Sequence, residues 1–268
     1  MVGFVGGGNM ATALIRGLLA GGVYRAGQVC ASDVDATKRA TLRRRFKVAT
    51  TDNNGVVMRD AKVIVLAVKP QIIDAVLAEM RPAATDKQLF ISIAAGVTTE
   101  RLEAGLGERA RVLRVMPNTP ALLGKGMSVL VRGRHATPAD ERVGLRLLRA
   151  VGHAVAVHDE GLLDPVTGLS GSGPAYVYLF AESLIAGGVA AGLPEALATQ
   201  LTYQTLTGAA AMLQGTGETP AALRAMVTSP GGTTFAGLGE LQRRSFKDAV
   251  IAAVVTATRR SEELGRAG

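Results

Sequence analysis

Five short apolar runs, at residues 2–5, 29–32, 63–68, 89–95 and 112–116, punctuate the first half of the chain. They are continuous rather than alternating, the pattern of strands buried on both faces. Between them lie helical patterns at 9–20, 36–46, 71–80 and 99–106. Strand–helix–strand repetition of this kind predicts a doubly wound parallel sheet, an α/β architecture. Two further runs, 128–131 and 154–157, flank a helical pattern at 138–150 and extend the sheet at its edge.

The pattern changes near Gly161, so we expect one domain over 1–160 and a second, all-helical one over 161–268. Long helical stretches at 175–192 and 194–214 are separated by Gly192-Leu193-Pro194, a stop and restart signal. A helix is expected at 220–227, then a Gly-rich loop at 229–234, then helices to about 264. Several of these helices are apolar over most of their surface, and a helix apolar all round must be buried. About 100 residues cannot bury so many faces alone. The expectation is an obligate homodimer in which this domain packs against its copy.

The chain carries a formal net charge of +8. Residues 1–161 hold 23 Lys+Arg against 14 Asp+Glu, and 162–268 hold 7 against 8. The positive excess therefore sits in the sheet half, where it favours an anionic cofactor or reflects compositional drift, the chain having 23 Arg to 7 Lys. No aromatic residues interleave with these charges, so nucleic acid is not an expected partner. No window of 18 uncharged apolar residues exists and no signal-peptide pattern is seen, so a cytoplasmic protein without membrane contact is expected. Cys30 is the only cysteine, which removes intrachain disulfides and Cys-based metal clusters; no metal is expected.

The turn after the first strand reads Gly6-Gly7-Gly8-Asn9-Met10-Ala11, a G-x-G-x-x-A pattern opening a helix. Gly6 makes the tight turn, Gly8 lets the backbone approach a pyrophosphate, and Ala11 permits close helix–strand packing. The helix N-terminus supplies N–H groups and a positive dipole end for phosphate. This is a Rossmann-type dinucleotide site. Where the second strand ends, the cofactor choice stays open. Asp33 suits a ribose 2′-hydroxyl and hence NADH. Ser32, Thr37, Lys38 and Arg39 suit the 2′-phosphate of NADPH. Asp35 also reads as a simple helix cap.

Other motifs fall at strand ends, the ligand-binding edge of such sheets. They are Ala67-Val68-Lys69-Pro70, Ala94-Ala95-Gly96 and Met116-Pro117-Asn118-Thr119-Pro120. In the second half, Ser170-Gly171-Ser172-Gly173-Pro174-Ala175 and Thr228-Ser229-Pro230-Gly231-Gly232-Thr233-Thr234 each precede a helix. The second offers backbone donors and two hydroxyls to a carboxylate.

Taken together and in this order, these strings resemble the pyrroline-5-carboxylate reductase family over essentially the whole chain. The most specific are Leu169–Tyr176 and Val227–Thr234. The resemblance implies an NADPH-preferring reductase of 1-pyrroline-5-carboxylate, the last step of proline biosynthesis, with NADH possible. It implies a cofactor path lined by Asn54, Ala67, Val68, Lys69, Pro70, Ala94, Ala95, Gly96 and Pro117. The substrate carboxylate would rest on Ser229, Gly231, Gly232, Thr233 and Thr234, a loop contributed by the partner subunit, with Glu218 at the site's edge. Thr234 would hydrogen-bond the ring nitrogen, the catalytic role. The resemblance also implies a homodimer assembling as a pentamer of dimers. Asp33 departs from what a 2′-phosphate favours. Two alternatives stay open. One is a related imine or hydroxy-acid reductase, weakened because Lys247 is the only lysine after residue 161. The other is a non-catalytic dinucleotide-binding regulator.

Overall fold

Val2–Val5 forms β1 with all four residues buried. Neighbouring side chains point to opposite faces of a sheet. Phe4 accordingly packs in one hydrophobic cluster and Val5 in another. The same alternation recurs at Ile64, Val65 and Leu66. Fully burying a side chain such as Phe4 is worth about 1.5–3 kcal/mol, so the double burial explains why the apolar runs do not alternate.

The computed structural model describes residues 1–266. After β1 come α1 (Asn9–Ala20), β2 (Val29–Ser32), α2 (Ala36–Phe46), β3 (Ala49–Thr51) and α3 (Asn54–Asp60). They are followed by β4 (Val63–Leu66), α4 (Ile73–Met80), β5 (Leu89–Ser92), α5 (Thr99–Leu106) and β6 (Arg111–Met116). Then come β7 (Gly126–Arg132), α6 (Pro138–Arg149) and β8 (Gly152–Val157). The sheet order is β3-β2-β1-β4-β5-β6-β7-β8. Every adjacent pair is parallel except β6–β7, so β7 and β8 run together against the other six. The expected parallel sheet is present, with its last two strands reversed. Residues of α1 and α6 share one cluster, and those of α3, α4 and α5 share the other, which makes the sheet doubly wound.

Two elements escaped the sequence reading. β3 is three residues long and none of them is fully buried. α3 begins where the Asn53 side chain accepts the Gly55 N–H at 2.7 Å, a cap within a stretch of loop-forming residues.

The helical part contains α7 (Leu163–Val166), a π-helical turn at Thr167–Gly171, α8 (Gly173–Ala190), α9 (Glu195–Gly215), α10 (Pro220–Met226), α11 (Thr233–Arg243) and α12 (Phe246–Arg266). Gly192 has φ +99° between α8 and α9, where Gly then Pro ends one helix and restarts another. One expectation is corrected here. Ser170–Ser172 is not a loop leading to a fresh helix N-terminus. The Ser172 N–H donates to the Thr167 carbonyl at 2.8 Å, five residues back. The Thr167 hydroxyl donates to the Leu163 carbonyl at 2.7 Å. These bonds keep the path helical and widen one turn, a feature frequent at functional sites.

By contact density the chain forms two compact units. One is Met1–Ser172 with the chain from Val255 onward; the other is Gly173–Val254. In the second unit Leu179 is 64% exposed, Tyr203 60% and Phe235 58%. Few of its side chains are buried: Ala181, Ala198 and Thr202. Helices this apolar and this uncovered require another surface to pack against. Among the described residues no helix is long and apolar enough to cross a membrane.

Candidate cofactor and substrate site

Gly6 stands at φ +99°, and a Cβ there would lie 2.6 Å from the Ala67 carbonyl oxygen. Only glycine serves at such a point. Its N–H donates to the Ser32 carbonyl at 2.8 Å, so β1, β2 and β4 converge on this turn. A Cβ at Gly8 would meet nothing within 4 Å. Gly8 is the N-cap of α1, no side chain caps that helix, and no acid occupies its first turn. An uncapped helix end beside open space can receive a phosphate. The residues present therefore fit a dinucleotide: Gly6, Gly7 and Gly8 form the turn, and Asn9 and Met10 open α1.

Asp33 has a role the sequence reading did not assign. Its Oδ2 accepts the Gly7 N–H at 2.8 Å and the Lys38 ammonium at 3.3 Å. Its Oδ1 accepts the Asp35 N–H at 2.8 Å. Arg39 donates to the carbonyls of Asp33 and Val34 at 2.8 and 3.0 Å. Acid and bases are thus joined to each other and to the loop. Asp35 caps α2, accepting from Thr37 and Lys38 N–H groups, and the Thr37 bond holds its carboxyl below the usual carboxylate range.

Ser32 and Asn54 meet: the Ser32 hydroxyl donates to Asn54 Oδ1 at 2.6 Å, and Asn54 Nδ2 donates to Glu79 at 2.9 Å. Glu79, on α4, fixes the amide and had no distinguishing sequence signal. Register pairs Val5 with Leu66 and Leu66 with Ser92. Ala67, Val68, Lys69 and Pro70 therefore leave the same sheet edge as the glycine turn, as do Ala94, Ala95 and Gly96. Lys69 and Ala95 are exposed, whereas Ala94, Gly96 and Pro117 are buried. Beyond Pro117, Asn118 Oδ1 accepts the Met127 N–H at 2.8 Å and Nδ2 donates to the Ser170 carbonyl at 3.2 Å. Asn118 is thus a brace between the β6–β7 turn and the π-helical turn.

In the second unit, Gly231 has φ +71° and lets the chain reverse before α11. The Gly232 N–H donates to the Ser229 carbonyl at 3.0 Å, closing that turn. The loop ends earlier than the sequence reading placed it. Gly232 is the extended N-cap, so Thr233 and Thr234 lie in the first turn of α11. No side chain caps this helix and no acid lies in its first turn, so its positive dipole end is not offset from within the helix. Thr234 is half-buried and Ser229 exposed. Glu218 is exposed between α9 and α10, its N–H donating to Thr216 Oγ1 at 3.2 Å.

Comparison with known proteins agrees with both halves. A family model described as pyrroline-5-carboxylate reductase dimerisation matches residues 160–264. One described as NADP oxidoreductase coenzyme F420-dependent matches residues 1–96. The chain is 41% identical over 265 residues to pyrroline-5-carboxylate reductase of Arabidopsis thaliana, covering 99% of this chain and 95% of that protein. It is 43% identical over 263 residues to that of Pseudomonas aeruginosa, covering 98% and 96%. The structure of a pyrroline-5-carboxylate reductase from Coxiella burnetii superposes with TM-score 0.92 at 36% identity, covering 98% and 97%. A Plasmodium falciparum pyrroline carboxylate reductase with NADP bound gives TM-score 0.89 at 32% identity, with the same coverage. The chain belongs to the pyrroline-5-carboxylate reductase family.

Proposed function

We propose that this chain reduces 1-pyrroline-5-carboxylate to L-proline with NADPH. The observation that carries the site assignment is the N-terminus of α11: uncapped, free of acids, and opening with Thr233 and Thr234. In a member of this family, such an end suits a small carboxylate whose ring bears a basic nitrogen.

NADPH, when bound, supplies the hydride that adds to the C=N carbon as the C=N electron pair moves to nitrogen. The chain's own residues hold and orient. Gly8, Asn9 and Met10 would present backbone N–H groups to the pyrophosphate, Gly6 and Gly7, whose N–H groups are held by Ser32 and Asp33, would shape the turn beneath it, and Ser32, Asp33 and Asn54 would face the adenosine end. Ala67–Pro70, Ala94–Gly96 and Pro117 would line the cofactor's path toward the nicotinamide ring. Ser229, Gly231, Gly232 and Thr233 receive the substrate carboxylate. Thr234 Oγ orients the ring nitrogen and assists its protonation after hydride arrives. Glu218 lies at the rim. A protonated imine is already electrophilic, so positioning supplies most of what the reaction needs.

The exposed apolar faces of α8 and α9 support self-association, with the pentamer of dimers as its full form. The proposed setting is the cytoplasm, without nucleic-acid or membrane partners. The test is loss of nicotinamide absorbance with pyrroline-5-carboxylate and, in parallel, its six-membered homologue. Rapid turnover of the five-membered imine supports the proposal. NADPH binding without turnover of either would replace it with the regulatory reading.

A further inference from the structure

Arg114, on β6, has a side chain only 7% exposed. Its Nη1 lies 2.8 Å from Glu160 Oε1 and its Nη2 3.9 Å from Asp164 Oδ1. A guanidinium at such a depth requires carboxylate partners. Glu160 uses its other acceptor positions on one residue, Thr99. Oε1 takes the Thr99 N–H at 2.8 Å, and Oε2 takes the Thr99 hydroxyl at 2.5 Å. Thr99 opens α5. Thr98 caps this helix, its hydroxyl accepting the Arg101 N–H at 3.2 Å, and a carboxylate 61 residues away in sequence adds to that cap at Thr99, negative charge against the positive dipole end. That is the opposite of α1, whose N-terminus no side chain caps.

Asp164 accepts the Ser261 hydroxyl at 2.7 Å, and Ser261 is 5% exposed on α12. The end of α12 then lies against Gly96, where an added Cβ would sit 3.6 Å from Leu264 Cβ. The β5–α5 turn is therefore held twice, at Gly96 by α12 and at Thr99 by Glu160. Both holds belong to one network centred on Arg114.

We infer that Glu160, held by Arg114, is a positioning residue for the cofactor: through Thr99 it sets where the Ala94–Gly96 wall stands along the nicotinamide path. This rests on the assignment of Ala94–Gly96 to that path. Glu160 acts through the turn, so its effect falls on NADPH affinity rather than on recognition of the imine acid.

The experiment compares Thr99→Val, which removes the hydroxyl at nearly constant shape, with Thr99→Ser, which keeps it. Glu160→Gln is the third variant. NADPH dissociation constants are measured by calorimetry, with KM for each substrate and Tm alongside. Thr99→Val should weaken NADPH binding about fivefold while Thr99→Ser stays within about twofold of wild type. KM for pyrroline-5-carboxylate should stay within about twofold in both. Glu160→Gln should follow the valine variant; if it fails to fold, the Thr99 pair decides. Equal NADPH affinity in Thr99→Val and wild type, whatever the change in Tm, reduces Glu160 to a structural brace and overturns the inference. Wild-type protein that binds NADPH but reduces no cyclic imine sinks the functional proposal, and the affinity comparison still decides the role of Glu160. Wild-type protein that binds no NADPH overturns both.

Discussion

The Gly7 N–H donates to the Asp33 carboxylate at 2.8 Å, tying the end of β2 to the glycine turn. Lys38 lies 3.3 Å from the same oxygen. An acid that sequence alone reads as a ribose acceptor is thus also a brace for the turn, partly neutralised by a base. Asp33→Ser should remove negative charge from the 2′-phosphate region and release Lys38. The ratio of kcat/KM for NADPH over NADH should rise about tenfold, one interaction of roughly 1.4 kcal/mol. Initial rates with both cofactors read this directly, and an unchanged ratio would place Asp33 away from the ribose.

Gly6 and Gly8 should respond differently to alanine. At Gly6 the new Cβ meets the Ala67 carbonyl oxygen at 2.6 Å on a backbone at φ +99°. Gly6→Ala should therefore lower stability by about 1–3 kcal/mol and abolish NADPH binding. At Gly8 the Cβ enters open space. Gly8→Ala should keep the wild-type Tm while weakening NADPH, because that space is where a pyrophosphate must approach. Thermal melts with and without NADPH separate the two.

Thr234 lies in the first turn of α11 and does not cap it. Thr234→Ala should leave Tm near wild type and lower kcat/KM for pyrroline-5-carboxylate about 10- to 100-fold, as for loss of one hydrogen bond to a charged group. Unchanged kinetics would remove Thr234 from the mechanism.

Cys30 is buried on β2, and burial, reinforced by the charge of Asp60, pushes its thiol up. The folded chain then retains a proton that the unfolded chain releases near its ordinary value, about 8.5. The folded state holds more protons above that point, so stability falls as pH rises through it. Urea melts from pH 7.5 to 9.5 (roughly a unit either side) should show this fall, and Cys30→Ala should flatten it. A thiol reagent should label Cys30 only as the chain unfolds.

Local signals made much of the fold legible. Val2–Val5, the glycine turn and Asn9–Ala20 lie side by side in the chain, and each constrains the next. The Gly192–Pro194 restart is equally local. What was hidden depends on partners far away in sequence. β3 exists because Ala49–Thr51 finds β2, and its three residues carry no periodicity. The bracing role of Asp33 did not show, because its partner Gly7 lies 26 positions earlier. Glu160 showed nothing, since both Thr99 and Arg114 come to it through the sheet. The substrate loop was legible in composition but not in extent: Gly232, with no side chain to cap, nevertheless starts the helix and takes the two threonines into it.

The central claim is hydride delivery from the nicotinamide to the imine carbon. NADPH deuterated at each C4 position in turn, incubated with wild-type protein and pyrroline-5-carboxylate, tests it most directly. Mass spectrometry of the proline formed should find one deuterium on the former C=N carbon from one C4 epimer and none from the other. Proline without deuterium from either epimer, or no proline while NADPH is bound, would contradict the account.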